Sequence, residues 1–154
     1  MRLRLPLIAA AAAALLLPSA AAAQGTGHAA DLVLAERKGA CAAEGVPVGA
    51  APPAQVRIDS DDVVFDCSGS IGFRLGRDAT VSFDDAAGTA TADVVRIVGS
   101  RLGLTCGYEA SKVVFHREGD TRVYAGGPYT GTKVQGSFLC PRSVQLDAAS
   151  FTFR

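Results

Sequence analysis

The stretch LGLTCGY at residues 102–108 carries an apolar side chain at every second position, with glycine or threonine between them. This alternation is typical of a half-buried β-strand, and it places Cys106 on the face that meets the core. A second stretch, VQGSFLCP at residues 134–141, has Phe138 and Cys140 on one face in the same way. We therefore expect two neighbouring strands joined by a disulfide between Cys106 and Cys140.

Residues 1–23 have the pattern of a secretory signal peptide. A start that carries two arginines precedes an apolar run over residues 5–17, and small residues lead to a cleavage site after Ala23. The apolar run is short for a membrane span, and no basic stop-transfer segment follows it. We expect a secreted or periplasmic protein that keeps no transmembrane segment after cleavage.

Size and charge limit the classes of partner. Removal of residues 1–23 from the 154-residue chain leaves 131 residues, which is the size of one domain with its own core. The chain has 15 basic and 15 acidic residues, and two of the basic ones lie in the signal segment, so the exported part has a net charge of −2. Without a cluster of lysine or arginine, this charge favours neither nucleic acid nor an anionic membrane surface as a partner.

All four cysteines lie in the exported part of the chain. An even number in an oxidising compartment indicates two disulfides, for which three connectivities exist. We favour sequential pairing, Cys41–Cys67 and Cys106–Cys140, in which each bridge would stabilise the fold by roughly 3–4 kcal/mol. The cysteines are too far apart in sequence for a zinc motif, and no histidine stands close to any of them.

Residues 24–54 form an N-terminal segment rich in alanine, glycine and proline, with few large apolar residues. Residues 32–34 are its one candidate strand. A short helix over residues 31–38 is the alternative, because the apolar pattern is too brief to distinguish the two. Later prolines exclude a continuing helix, so we predict a loop over residues 39–54 that is held by Cys41.

From residue 55 onward, apolar residues recur two apart in short runs that are separated by turn-forming residues. The runs lie at residues 56–58, 63–67, 71–75, 81–83 and 95–97. Short strands interrupted so often are typical of a sandwich. We predict an all-β domain over residues 55–154: an antiparallel β-sandwich of immunoglobulin-like size, stapled by two disulfides, with a small incomplete β-barrel as the alternative.

A hairpin is predicted where residues 112–117 and 121–125 flank Glu118-Gly119-Asp120. We choose the register that places Arg117 opposite Asp120, because directly opposed charges of opposite sign contribute roughly 0.2–1 kcal/mol. Further on, the apolar phase changes between Ala148 and Ala149. A β-bulge or a break is therefore expected there.

The residues that could carry catalysis or hold a metal do not form a recognisable constellation. His116 is the one histidine within the predicted core, and no nucleophile elbow accompanies it. Asp59 and Asp61 begin a calcium-loop pattern, but Val64 stands where that loop requires glycine. We therefore predict no catalytic residue, no metal ligand and no cofactor.

The stretch GGPYTG at residues 126–131 is predicted to be a mobile loop between strands. Pro128 and Tyr129 make it the candidate binding loop, because an exposed aromatic ring can stack on a ligand or a partner. The alternative is that Tyr129 folds back on its own sheet.

The C-terminal third resembles the end of small secreted, disulfide-bonded β proteins of high-GC bacteria, an uncharacterised family. The resemblance lies in TCGY at residues 105–108, GSFLCP at residues 136–141 and LDA at residues 146–148. It implies the Cys106–Cys140 bridge and no activity. Where that family ends in an aromatic strand with tyrosine, this chain has two phenylalanines.

Taken together, these features predict an exported, non-enzymatic binding or cell-envelope interaction module. Its expected partner is a protein or a cell-envelope ligand that contacts the loops at one end of the sandwich. Two alternatives stay open. One is a secreted protease inhibitor whose disulfide-braced loop enters an enzyme's cleft, and the other is a small hydrolase that uses acidic residues alone.

Overall fold

The computed structural model describes residues 27–37, 39–69 and 71–154, so the predicted signal peptide and its cleavage site lie outside the described residues. The described part forms twelve β-strands and one short 3-10 helix at Ser60–Asp62. The strands are β1 His28–Glu36, β2 Gly39–Val48, β3 Val56–Ile58, β4 Asp66–Cys67, β5 Gly72–Leu75, β6 Ala79–Asp84, β7 Thr89–Arg101, β8 Leu104–Arg117, β9 Val123–Gly126, β10 Tyr129–Gln135, β11 Ser143–Leu146 and β12 Ala148–Phe153.

All strand pairs are antiparallel, and they form one open sheet in the order β3-β6-β7-β8-β9-β12-β1-β2-β4. Three strands leave this path, because β5 pairs with β7, β10 pairs with β8, and β11 pairs with β10. The predicted all-β, antiparallel, sandwich-like fold with two disulfides is confirmed. The sheet bends so that its inner face encloses the core.

The long hairpin of β7 and β8 is common to both halves of the molecule. Its strands pair in a single register from Thr89 opposite His116 to Arg101 opposite Leu104, and the ladder has one break, where Asp93 and Lys112 do not pair. On one side of the break β7 pairs with β6 and β8 with β9, whereas on the other side β7 pairs with β5 and β8 with β10. The strand predicted to begin at residue 102 begins at Leu104, because Leu102 and Gly103 lie in the turn between β7 and β8.

The break at Lys112 keeps apolar side chains on the inside of the bend. Lys112 has a φ of 52°, in the left-handed region. Val113 and Phe115 face the core after this residue, while Tyr108 and Ala110 face the interior before it. A regular strand would have turned one of these pairs toward solvent, because side chains alternate between the two faces of a sheet.

The N-terminal segment belongs to the sheet. Residues 32–34 lie in β1, which is placed between β2 and β12, so the strand alternative is the one adopted. The prediction of a loop over residues 39–54 is wrong for residues 39–48, which form β2. Pro47 is compatible with this strand because β2 pairs with β4 only at Cys41 and Ala42, and an unpaired edge needs no amide donor.

Both predicted disulfides are present. Cys41–Cys67 joins β2 to β4, and Cys106–Cys140 joins β8 to residues 136–142, the segment that connects β10 and β11. The expectation that Phe138 shares a core face with Cys140 is wrong, because Phe138 lies in this segment and is 91% exposed. Strand alternation ends at Gln135 and no longer governs which side chains are buried.

Aromatic rings form the centre of the core. Phe151 is 4% exposed, and its ring centroid lies 4.8 Å from that of Phe115, 5.2 Å from Tyr124 and 5.4 Å from Phe153. The break expected near Ala148 occurs one residue earlier, at Asp147, and it puts Phe151 and Phe153 on the buried face of β12.

The register predicted for the β8–β9 hairpin is wrong. Arg117 lies opposite Tyr124, and the Arg117 guanidinium instead approaches the Asp85 carboxylate, at 3.5 Å. This register buries Tyr124, which is 2% exposed. Burial of an aromatic side chain contributes about 1.5–3 kcal/mol and outweighs an exposed ion pair of about 0.2–1 kcal/mol.

Asp78 joins the 3-10 helix to the connection between β5 and β6. Its carboxylate accepts hydrogen bonds from the Ser60 amide at 2.9 Å and the Ser60 hydroxyl at 3.0 Å, and it pairs with Arg57. These contacts, of which the Ser60 amide has the largest effect, lower the pKa of Asp78 from 3.8 to about 2.

Replacement of Phe151 by alanine should lower the free energy of unfolding by about 3–5 kcal/mol, because it leaves a cavity in the aromatic core. Phe138→Ala is the matched control, and it should change stability by less than about 0.5 kcal/mol because that ring is exposed. Urea unfolding of both variants checks the pair. Equal effects would contradict the assignment of the core.

Asp78→Asn should lower stability at pH 7 and reduce the acid sensitivity of the fold. A carboxylate whose pKa is lower in the folded state stabilises that state above about pH 4, and the contribution disappears as the pH falls toward 2. The urea midpoints of variant and wild type should therefore differ most at pH 7 and converge near pH 2. Asp120→Asn, at an exposed position, should follow the wild type at both pH values.

Candidate functional site

A cavity of about 380 Å³ lies inside the bend of the sheet. Its lining comes from both halves of the molecule and is almost wholly apolar. It includes Leu34, Phe73, Ile97, Tyr108, Phe115 and Phe151. Protein interiors are normally packed without such spaces, and small-molecule sites have volumes of roughly 300–1,000 Å³. The cavity is therefore the candidate functional site.

Small residues on the inner face contribute to this space. Ala92 and Ala110 occupy inward positions on β7 and β8, where larger side chains would extend into the cavity. Gly99 serves a different purpose, because a Cβ atom there would lie 3.3 Å from the Phe73 ring. Glycine thus lets the Phe73 ring lie close against the backbone of β7 and form part of the wall.

The exposed residues of the lining mark the mouth of the cavity. They are Ser100, Arg101, Pro141, Val144 and Gln145. A smaller cavity of about 50 Å³ beside Cys41 shares Glu36, Ile71, Phe73 and Arg101 with the larger one. Ser100, Arg101 and Pro141 place part of the mouth at the end of the molecule where β7 turns into β8, and Val144 and Gln145 extend it along β11. The buried rings of the aromatic core form the inner end.

Tyr129 lines the cavity and does not project from a loop. Only Gly127 and Pro128 separate β9 from β10, and Tyr129 is the first residue of β10. Its hydroxyl donates a hydrogen bond to the Val114 carbonyl oxygen at 2.5 Å, and its ring centroid lies 5.5 Å from that of Phe115. The ring is folded back on its sheet, which was the alternative to a mobile binding loop, while Pro128 is exposed.

Burial affects the ionisation of two cavity residues. Desolvation raises the pKa of both Tyr129 and Tyr108 above 10.0. Both side chains therefore stay neutral at physiological pH. These two side chains therefore add no negative charge to the cavity wall.

The other residues singled out in the sequence lie away from the cavity or serve the fold. His116 is exposed on β8 opposite Thr89. The Asp59 carboxylate accepts a hydrogen bond from the Asp61 amide at 3.0 Å and so caps the 3-10 helix. Within the described ranges, no three His, Cys, Asp or Glu residues are grouped closely enough to hold a metal ion.

The described residues include no helix long and apolar enough to cross a membrane. No family model matches the chain, and no curated protein or solved structure matches it either. The resemblance to secreted disulfide-bonded proteins of high-GC bacteria stays a prediction.

Most cavity residues could not be recognised as such in the sequence. The sequence pointed to Tyr129 because an exposed aromatic ring can bind a ligand, but Tyr129 lines the cavity because its ring is folded back on the sheet. Leu34, Phe73 and Ile97 read as ordinary core positions, and they line a space only because distant strands curve apart. Small residues at inward positions, such as Ala92 on β7 and Ala110 on β8, are a local signal of incomplete filling.

Tyr129→Phe should lower stability at pH 7 by about 0.5–1.5 kcal/mol, because it removes the hydrogen bond to Val114. It should also weaken the loss of stability at high pH. A tyrosine whose pKa is raised by folding stabilises the fold fully below pH 10 and loses that contribution as the pH rises further. Urea unfolding at pH 7, 10 and 11 measures both effects, and an unchanged profile above pH 10 would contradict the burial of Tyr129.

Proposed function

We propose that this protein is an exported, non-enzymatic binding protein that holds a small apolar ligand in the cavity of its bent sheet. The observation that carries the proposal is a space of about 380 Å³ lined almost wholly by apolar side chains. An apolar cavity of this kind excludes water and gains free energy when an apolar molecule fills it. The two disulfides support an extracytoplasmic location, because such bridges persist in oxidising compartments.

The distribution of charge narrows the ligand class. Among the described residues, Glu36 and Arg101 are the charged members of the lining, and Arg101 lies at the mouth. The inner end is formed by buried groups such as Ala92 and Phe151. This arrangement suits an apolar molecule with one polar end, such as a single-chain lipid, whose hydrocarbon part enters the cavity while its polar group stays at the mouth.

The same lining supports a binding role over catalysis. In the described part of the chain, the lining has one carboxylate, Glu36, and no histidine, and its one cysteine, Cys106, is in a disulfide. A hydrolase with two carboxylates requires them to flank the reacting bond. An activated nucleophile requires a base within hydrogen-bond reach. The acidic-hydrolase alternative therefore finds no support at this site.

A secreted protease inhibitor is the second candidate. Phe138 and Leu139 project from residues 136–142, a segment that Cys140 ties to β8. A rigid exposed segment is what an inhibitor presents to a protease cleft. Stoichiometric inhibition in a panel of serine and cysteine proteases would support this reading, and cleavage of the segment without inhibition would dismiss it.

N-phenyl-1-naphthylamine, an uncharged apolar probe, should bind the protein with one-to-one stoichiometry and increased fluorescence. Val95→Trp and Ile97→Trp should each weaken probe binding at least about tenfold, because a larger side chain at these positions on the cavity wall fills part of the space. Val64→Trp is the matched control at an exposed position and should bind the probe as the wild type does.

Circular dichroism and thermal unfolding establish that each variant is folded before its probe affinity is compared. A wild-type protein that does not bind the probe would contradict the proposal. Equal affinities for the wild type and both cavity variants would contradict it as well.

A further inference from the structure

Three strongly exposed apolar side chains are gathered at the mouth of the cavity. Leu102, Phe138 and Leu139 are 95%, 91% and 65% exposed. Leu102 follows Arg101, and Leu139 lies two residues before Pro141, and both Arg101 and Pro141 line the cavity. The apolar side chains therefore flank the opening through which a ligand would enter.

The disulfide and one close backbone contact bring these two turns to the same end of the molecule. Cys140 is bonded to Cys106, which lies two residues after the start of β8. A Cβ atom on Gly136 would lie only 2.8 Å from the Thr105 carbonyl oxygen, so residues 136–142 run directly alongside the first residues of β8. Leu102 occupies the turn immediately before this strand.

Leu102 has a conformation that folding alone does not explain. Leu102 and Gly103 have φ values of 48° and 78°, which is the pattern of a two-residue hairpin turn with left-handed residues at both positions. Asparagine, aspartate or glycine suits the first of these positions, whereas leucine is disfavoured there. A leucine that is both strained and 95% exposed gains nothing from the core, which points to a role outside it.

Several polar backbone groups of residues 136–142 are hydrogen-bonded within the segment or to Lys133. The Cys140 amide donates to the Ser137 carbonyl oxygen at 3.1 Å, and the Leu139 amide donates to the Ser137 hydroxyl at 3.2 Å. The Lys133 ammonium group donates to the carbonyl oxygens of Ser137 and Cys140 at 3.2 and 3.3 Å. These hydrogen bonds fix the shape of the segment, and its apolar side chains can enter an apolar medium while the remaining backbone groups stay at the level where water is present.

Two arginines complete the surface. Arg101 and Arg142 are exposed beside the apolar side chains, where their guanidinium groups can pair with phosphates. Apolar side chains that enter the boundary between headgroups and acyl chains, with basic groups at headgroup level, are the arrangement by which proteins bind a membrane interface.

We propose that Leu102, Phe138 and Leu139 insert into the surface of a phospholipid bilayer and place the cavity mouth against it. The inserted side chains supply most of the affinity, so the low net charge of the protein is no obstacle. The ligand then passes between bilayer and cavity without crossing water. This last step rests on the proposed function, whereas the docking itself does not.

Flotation with vesicles of phosphatidylethanolamine and phosphatidylglycerol tests the docking, using protein exported from the full-length chain. The wild type should float with the vesicles. Leu102→Asn and Phe138→Ser should each weaken binding at least about fivefold, and the triple variant that adds Leu139→Ser at least about a hundredfold. Val64→Asn, which removes an exposed apolar side chain elsewhere, should bind as the wild type does.

Leu102→Asn separates docking from folding. Asparagine suits the left-handed position better than leucine, so this variant should unfold at the same or a higher urea concentration while it loses vesicle binding. A variant that is less stable and equally well bound would overturn the role given to Leu102. Binding of N-phenyl-1-naphthylamine should be the same in wild type and all three variants.

The two proposals fail in different ways. A wild type that binds the probe but no vesicles overturns the docking and leaves the apolar site in place. A wild type that binds vesicles through these side chains but not the probe supports the docking and removes the proposed function. If vesicle binding is absent and the three side chains are instead required to hold an envelope protein, the surface is a protein interface and the membrane proposal is wrong.

Discussion

Backbone hydrogen bonds between β7 and β8 run along both sides of a bend at Asp93 and Lys112, and the remaining strands are arranged around this hairpin. Because each long strand takes one neighbour before the bend and another after it, the two halves of the sheet cannot separate without breaking the hairpin. The bend also determines which side chains surround the cavity. Side chains on either side of it face one another across a space that the alanines and glycines of the inner face do not fill.

Local pattern and cysteine number predicted the fold class, strands such as Val56–Ile58 and Gly72–Leu75, and both disulfides. The strands follow from the alternation of side chains. The disulfides follow from an even number of cysteines, which pair where the compartment is oxidising. β2 was missed because alanine and proline carry little strand signal, and its strand state comes from pairing with β1. The hairpin register was missed because a charge pair alone decided it, whereas the burial of Tyr124, which decides it in the structure, depends on strands far away in sequence.

The mouth of the cavity illustrates a further limit of reading a sequence. Alternation alone assigned Phe138 to a buried face, and total charge alone argued against a membrane surface. Neither the alternation of side chains nor the total charge says where a residue lies in the folded molecule. The structure brings Leu102, Phe138, Arg101 and Arg142 to one end of the molecule, because a disulfide joins residues 34 positions apart at the start of β8. A surface assembled in this way has no continuous trace in the chain.

An open sheet has edges, and here they are kept short. The outermost strands β3, β4, β5 and β11 contain three, two, four and four residues. The longer free edge of β2 is interrupted by a bulge at Gly45 and by Pro47, which has no amide hydrogen to offer. A folded molecule therefore offers its neighbours few sites for strand addition, which disfavours growth into fibrils.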